Sequence, residues 1–123
     1  MTTFDFVLLY VSDPEESASF YAGLLGLPVL DRGPAFSMLK LREGVLLGLW
    51  RHDDVDPPAK PVSGGSEIAF ILPRDADIDG LAAQWKARGV PILQAPADMD
   101  FGRTFTAADP DGHRIRVYVS SRQ

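Results

Sequence analysis

The fold is indicated most clearly by residues 4–26, which read FDFVLLYVSDPEESASFYAGLLG. The stretch opens with an apolar, β-rich run that predicts a strand. Asp13 then has the residue type of a helix N-cap, Pro14 suits the first helical position, and Glu16 completes a capping box. Gly26 is a typical left-handed stop after the apolar positions of a helix. The stretch therefore predicts a strand followed by a helix.

Three strand-like runs follow this unit, at residues 27–30, 35–41 and 45–50, and Glu43-Gly44 forms a tight turn between the last two. The first part of the chain is therefore predicted to be β-α-β-β-β. Residues 51–65 carry prolines, aspartates and glycines without periodicity, which is typical of a linker or surface loop.

The same order of elements is predicted again after the linker. Its strands and helix are expected at 67–72 (strand), 76–88 (helix), 90–93, 103–107 and 113–119 (strands). The helix-ending glycines Gly26 and Gly89 are 63 residues apart, and the turn glycines Gly44 and Gly112 are 68 apart. Such a repeat predicts an α+β fold in which two βαβββ repeats form a cupped mixed sheet around a cavity. We expect repeat one at about 3–51, the linker at about 52–65 and repeat two at about 66–120, within one domain spanning 1–123.

Composition narrows the function classes. The 123 residues are 46% hydrophobic and 24% charged, with a formal net charge of −5 and no cysteine. Disulfides, thiolate metal sites and a cysteine nucleophile are thereby excluded. The acidic balance disfavours nucleic acid as a partner. No apolar run approaches the roughly 20 residues that span a bilayer, and the first residues lack the pattern of a signal peptide, so we expect a cytoplasmic protein without a membrane partner.

Three motifs are shared with a known family: VSDPEES at 11–17, EIAF at 67–70 and DPDGHRIR at 109–116. The chain thereby resembles the vicinal oxygen chelate superfamily, which includes glyoxalase I, extradiol dioxygenases and the bleomycin-resistance proteins. The motif FGRTF at 101–105 makes it similar to the phenazine-antibiotic resistance proteins of that superfamily. This resemblance implies a metal-free homodimer without a cofactor that binds a planar aromatic antibiotic, phenazine- or bleomycin-like, in a cleft. It implies resistance by sequestration of the antibiotic or by its presentation for export or modification. The alternatives are a glyoxalase- or dioxygenase-type enzyme acting on a small molecule, and a dimeric module without a ligand.

The metal-binding members of the superfamily take four ligands, mostly His and Glu, from the first and fourth strands of each repeat. The corresponding positions here are Phe6, Gly48, Glu67 and Arg116. Only Glu67 could bind a cation, and a guanidinium aimed at the same point would repel one. We therefore expect no metal centre, and a Glu67–Arg116 pair as the polar anchor of the cavity. Two other interpretations stay open: a purely structural ion pair, and Glu67 as a lone general base. If the pair binds ligand, the loss of Arg116 should weaken a carboxylated aromatic more than its neutral analogue.

The alternation of side chains along strands, counted from these four positions, adds Leu8, Tyr10, Trp50 and Tyr118 to the cavity face. Further candidates are Phe36 and Met38 on the third strand and Phe101, Arg103 and Phe105 around the seventh. Gly48 is expected to leave free volume, flanked by the aromatic walls of Trp50 and Tyr118. Residues 95–102 are interpreted as a lid over the cavity. The predicted ligand-binding residues are Leu8, Tyr10, Phe36, Met38, Gly48, Trp50, Glu67, Phe101, Arg103, Phe105, Arg116 and Tyr118.

Overall fold

The computed structural model describes residues 3–60 and 64–121. It divides into two compact units, one up to residue 62 and one from residue 63. Each unit is a four-stranded mixed sheet with one helix packed on it, so the two-repeat α+β fold is confirmed. Within the described ranges, no helix has the length and apolar character that crossing a membrane requires.

The first unit contains the elements β1 (Phe6–Val11), α1 (Pro14–Leu25), β2 (Val29–Asp31), β3 (Phe36–Arg42) and β4 (Val45–Arg51), followed by a short 3-10 helix at His52–Asp54. Its strand order is β1-β4-β3-β2, with β1 and β4 parallel and the other neighbours antiparallel.

Helix α1 has the ends that the sequence predicts. The Asp13 side chain accepts hydrogen bonds from the backbone N–H groups of Glu15 and Glu16, and Gly26 adopts a left-handed φ of 68°. The helix packs on β3 and β4. The core of this unit includes fully buried apolar side chains from the helix and the sheet: Val11, Ala18, Tyr21, Leu39, Leu47 and Leu49.

The second unit contains β5 (Glu67–Leu72), α2 (Ile78–Ala87), β6 (Ile92–Met99), β7 (Gly102–Ala108) and β8 (Arg114–Ser120). Its strand order, β5-β8-β7-β6, repeats that of the first unit. Phe105 of β7 is fully buried and meets Trp85 of α2 edge to face, with 5.2 Å between the ring centroids. This contact fixes which face of the second sheet is covered by the helix.

Strand β6 differs most from its prediction. It was expected at 90–93 but runs from Ile92 to Met99, so the interpretation of 95–102 as a lid was wrong for residues 95–99. The acidic residues of this segment, its closing glycine and the apolar Met99 and Phe101 had indicated a loop. Pro96 is tolerated here because β6 is an edge strand and its register with β7 shifts between Gln94 and Ala97. The other predicted elements begin and end within two residues of the observed ones.

Candidate functional site

The second unit has a paired acid and base on the face of its sheet away from α2. Strands β5 and β8 are parallel neighbours with Ala69 opposite Arg116, and Glu67 lies one step along the same face of β5. The Arg116 Nε donates a hydrogen bond of 2.5 Å to Glu67 Oε2, and Nη2 donates one of 3.4 Å to Oε1. The predicted pairing is therefore confirmed. Its partners differ in accessibility, since the Arg116 side chain is 16% exposed and that of Glu67 is 32% exposed.

Three polar side chains from β6 and β7 complete the surroundings of Arg116. Its Nη1 donates to Gln94 Oε1 at 3.0 Å and to Thr104 Oγ1 at 3.2 Å. Thr106 Oγ1 donates to the same Gln94 oxygen at 3.1 Å, and Thr104 Oγ1 donates to the carbonyl of Val117. The two threonines are buried, so the network holds the guanidinium from within the sheet.

Two aromatic rings form a wall beside this network. Phe101 lies in the turn between β6 and β7, with its ring centroid 5.6 Å from Arg116 Cζ, a cation–π distance. The ring of Tyr118 meets that of Phe101 almost perpendicularly, with centroids 5.0 Å apart. A recess of about 360 Å³ opens at this point, and we call it the Arg116 recess; it is lined by Glu67, Ala69, Phe101, Arg116 and Tyr118.

Two predicted ligand-binding residues lie on the other face of the sheet. Arg103 pairs with Asp79 of α2 at 2.9 Å, and Phe105 is buried against the same helix. Side chains alternate along β7, and Thr104 and Thr106 are the ones opposite Tyr118 and Arg116. The structure therefore does not bring Arg103 and Phe105 to the recess.

The pairing of Arg103 with Asp79 also shifts the pKa values of both side chains. Hydrogen bonding to Arg103 lowers the pKa of Asp79 below its ordinary value, and the same interaction raises the pKa of Arg103. Because the pair joins β7 to α2, we interpret it as a structural link across the helix–sheet interface.

Three residues missed by sequence reasoning, Gln94, Thr104 and Thr106, bind Arg116 or its partner. A signal for the two threonines was present in the sequence. The turn at residues 109–112 sets the register of β7 with β8, and counting outward from it places Thr106 opposite Arg116. Gln94 had no such signal, because the register shifts of β6 interrupt the count.

The other predicted ligand-binding residues lie in the first unit, on the face of its sheet away from α1. Aromatic rings contact one another along this face: Phe6 with Phe36 at 6.5 Å, Phe36 with Trp50 at 6.4 Å, and Tyr10 with Trp50 at 6.3 Å between centroids. The volume expected beside Gly48 is not free. A Cβ on Gly48 would lie 2.6 Å from the end of Leu8, 2.7 Å from the Phe6 ring and 2.9 Å from the Phe36 ring. Met38 lies opposite Gly48 on β3.

The parallel strand pair of each sheet has an equivalent register, and this equivalence identifies the four positions that correspond to the superfamily's metal ligands. Leu8 lies opposite Gly48 in the first unit as Ala69 lies opposite Arg116 in the second. Phe6 and Gly48 have no donor side-chain atoms, and the single carboxylate, Glu67, is bound by a guanidinium. Across the described ranges, no three His, Asp or Glu side chains cluster as metal ligands would. The residues at these positions do not fit a divalent cation.

A second cavity of about 620 Å³ lies between α2 and β6, on the helix side of the second sheet. Its lining is mostly alanine, valine, isoleucine and proline, with Asp79 and Lys86 as its charged members. None of the predicted ligand-binding residues lines it, so it is distinct from the Arg116 recess.

Known proteins of similar sequence or structure have the same two-repeat architecture or belong to the same superfamily. The model of the Glyoxalase/Bleomycin resistance protein/Dioxygenase superfamily matches residues 3–117. The phenazine antibiotic resistance protein EhpR of Enterobacter agglomerans is 32% identical over 113 residues, which cover 89% of this chain and 86% of that protein. The solution NMR structure of a protein from Agrobacterium tumefaciens is 49% identical and superposes with a TM-score of 0.87 over 99% of this chain and all of that one. A glyoxalase-related enzyme from Fulvimarina pelagi shares the fold, with a TM-score of 0.84 at 22% identity over 98% of this chain and 89% of that one. The chain therefore belongs to the Glyoxalase/Bleomycin resistance protein/Dioxygenase superfamily.

Proposed function

We propose that this protein binds a planar aromatic antibiotic of the phenazine type in the Arg116 recess and confers resistance by sequestering it. The observation that carries the proposal is the joining of an aromatic wall, Phe101 and Tyr118, to a hydrogen-bonded ion pair within one recess. The 32% identity to a phenazine antibiotic resistance protein supports the same class of ligand. In this proposal the protein acts in the cytoplasm as a homodimer.

The chemistry of the recess suits a flat heteroaromatic molecule. Stacking on an aromatic side chain contributes about 0.5–1.5 kcal/mol beyond the burial of area, and the ion pair supplies polar contacts that orient the ring. The volume of about 360 Å³ lies within the range of small-molecule sites. Binding of this kind requires no turnover.

Isothermal titration calorimetry with phenazine tests the proposal. We expect binding to the wild type and a loss of about tenfold in the variants Phe101→Ala and Tyr118→Ala, since each removes a stacking surface and its buried area. Phe70→Leu is the matched control, because Phe70 alternates with Ala69 and points to the helix side of β5. Absence of binding to the wild type, or equal losses in all three variants, would contradict the proposal.

The alternative is a glyoxalase- or dioxygenase-type enzyme. Chromatography of the phenazine after prolonged incubation with the protein separates the two functions. Recovery of unchanged ligand at the binding stoichiometry supports sequestration, whereas conversion to a product supports the enzyme.

The homodimer is tested by sedimentation equilibrium. A two-fold dimer at micromolar concentration is the expected result. A monomer at that concentration would contradict this part of the proposal.

A further inference from the structure

We propose, on the basis of the function proposed above, that the Arg116 recess selects planar aromatic ligands that present a hydrogen-bond donor to Glu67 over those that present a carboxylate to Arg116. This reverses the expectation from the sequence that a carboxylated aromatic depends on Arg116 more than its neutral analogue does. It follows from how the donors and acceptors of the pair are already used.

The guanidinium of Arg116 has little left to offer a ligand. Four of its five N–H groups donate within the protein, two to Glu67 and one each to Gln94 and Thr104. The ring of Phe101 lies over the guanidinium. A ligand carboxylate would need a bidentate contact to gain full strength, and that contact requires at least one of these internal bonds to break.

The carboxylate of Glu67 is the available partner. An ionised carboxylate has about four acceptor sites, and Arg116 is its only donor among residues 3–60 and 64–121. Glu67 is also the more exposed member of the pair, at 32% against 16% for Arg116. A ligand that enters the recess therefore meets an acceptor with unused capacity.

The negative charge near the recess also disfavours a ligand that carries a carboxylate. A ligand carboxylate at the mouth of the recess would lie beside the Glu67 carboxylate, and like charges at short range disfavour each other. The chain as a whole carries a formal net charge of −5. An amino group, a phenolic hydroxyl or a protonated ring nitrogen gains a charge-assisted hydrogen bond to Glu67 without disturbing Arg116.

A comparison of two phenazines tests this inference. The first carries an amino group and the second a carboxylate, both at the same ring position away from the ring nitrogens, and unsubstituted phenazine serves as the reference. Calorimetry at pH 7 should show that the wild type prefers the aminophenazine over the phenazine carboxylate by about tenfold or more, the value of one charged hydrogen bond. The Glu67→Gln variant should lose this preference or invert it, because it removes the anion and releases donors of Arg116.

Asp79→Asn is the matched control. It changes the net charge by the same amount and also removes a carboxylate from an arginine pair, but on the helix side of the sheet. It should keep the wild-type preference. A wild type that favours the phenazine carboxylate, or a Glu67→Gln preference equal to that of the wild type, would overturn the inference while leaving the proposed binding function intact. Failure of all three phenazines to bind the wild type would overturn both. The wild-type comparison decides the matter even if Glu67→Gln does not fold.

Discussion

Replacing Arg116 with methionine tests how much the ion pair and its network stabilise the second unit. The substitution keeps most of the aliphatic volume and removes four hydrogen bonds, two to Glu67 and one each to Gln94 and Thr104. Breaking a fully buried ion pair costs about 3–5 kcal/mol because one charge is left without its partner. Glu67 is 32% exposed and regains water, so we expect a loss of about 2–3 kcal/mol in the free energy of unfolding.

Urea unfolding followed by tryptophan fluorescence measures this loss. The chain has two tryptophans, and Trp85 lies against Phe105 in the core of the second unit. A Trp50→Phe background therefore makes Trp85 the only reporter. With an m-value typical of small domains, the expected loss lowers the urea midpoint by about 1–2 M.

A double-mutant cycle with Glu67→Gln separates the pair from the rest of the network. We expect a coupling free energy of about 1–2 kcal/mol between the two positions. Arg103→Met is the control, because Arg103 belongs to a more exposed pair whose loss should shift the midpoint less. An unchanged midpoint in Arg116→Met, or a coupling free energy of zero, would refute the argument that the network holds the guanidinium in place.

Three further predictions concern the stability of the fold. Hydrogen bonding to Arg103 lowers the pKa of Asp79 below its ordinary value of 3.8. As the pH falls, the unfolded state therefore binds the proton before the folded state does. The stability that this pair contributes should be present at neutral pH and lost below about pH 4. The Asp79→Asn variant should lack that component in urea unfolding measured across acidic pH, and parallel pH profiles would contradict the assignment. Gly102→Ala should strongly lower the midpoint of thermal unfolding measured by circular dichroism. The reason is that Gly102 has a φ of 143° and that a Cβ there would lie 1.9 Å from the Val119 carbonyl oxygen. A midpoint equal to that of the wild type would contradict this steric argument. Asp13→Ala should destabilise the first unit by about 1 kcal/mol while Asp13→Asn largely retains stability, and equal losses in the two variants would argue against the cap.

Most of the fold could be predicted from local sequence signals. The cap, the stop glycines and the strand-length apolar runs each act within a few residues, so α1 and most strands follow from neighbouring residue types. Strand β6 was the exception, because the acidic residues and the closing glycine of residues 95–102 indicate a loop locally, whereas the segment pairs with β7 as an edge strand that also accommodates Pro96.

The site was predictable in part. The correspondence of Glu67 and Arg116 to neighbouring positions on one face was sufficient to predict their pairing, since the register of parallel strands places them side by side. The filling of the space beside Gly48 by Phe6, Leu8 and Phe36 was not predictable, because it depends on the rotamers of large side chains on two other strands.

Residue types and their spacing were enough to predict the two-repeat architecture, the pairing of one acid with one base, and a donor set unsuited to a divalent cation. The architecture and the donor set depend on residue type, spacing and the period of a strand, which are local, and the pairing followed from the correspondence of both residues to the superfamily's ligand positions. The folded chain was needed to show that Gln94 and Thr104 accept hydrogen bonds from Arg116 while Glu67 keeps open acceptor sites, because this allocation depends on contacts between different strands of the sheet. That allocation is the reason to expect a ligand that donates to Glu67 in place of one that binds Arg116.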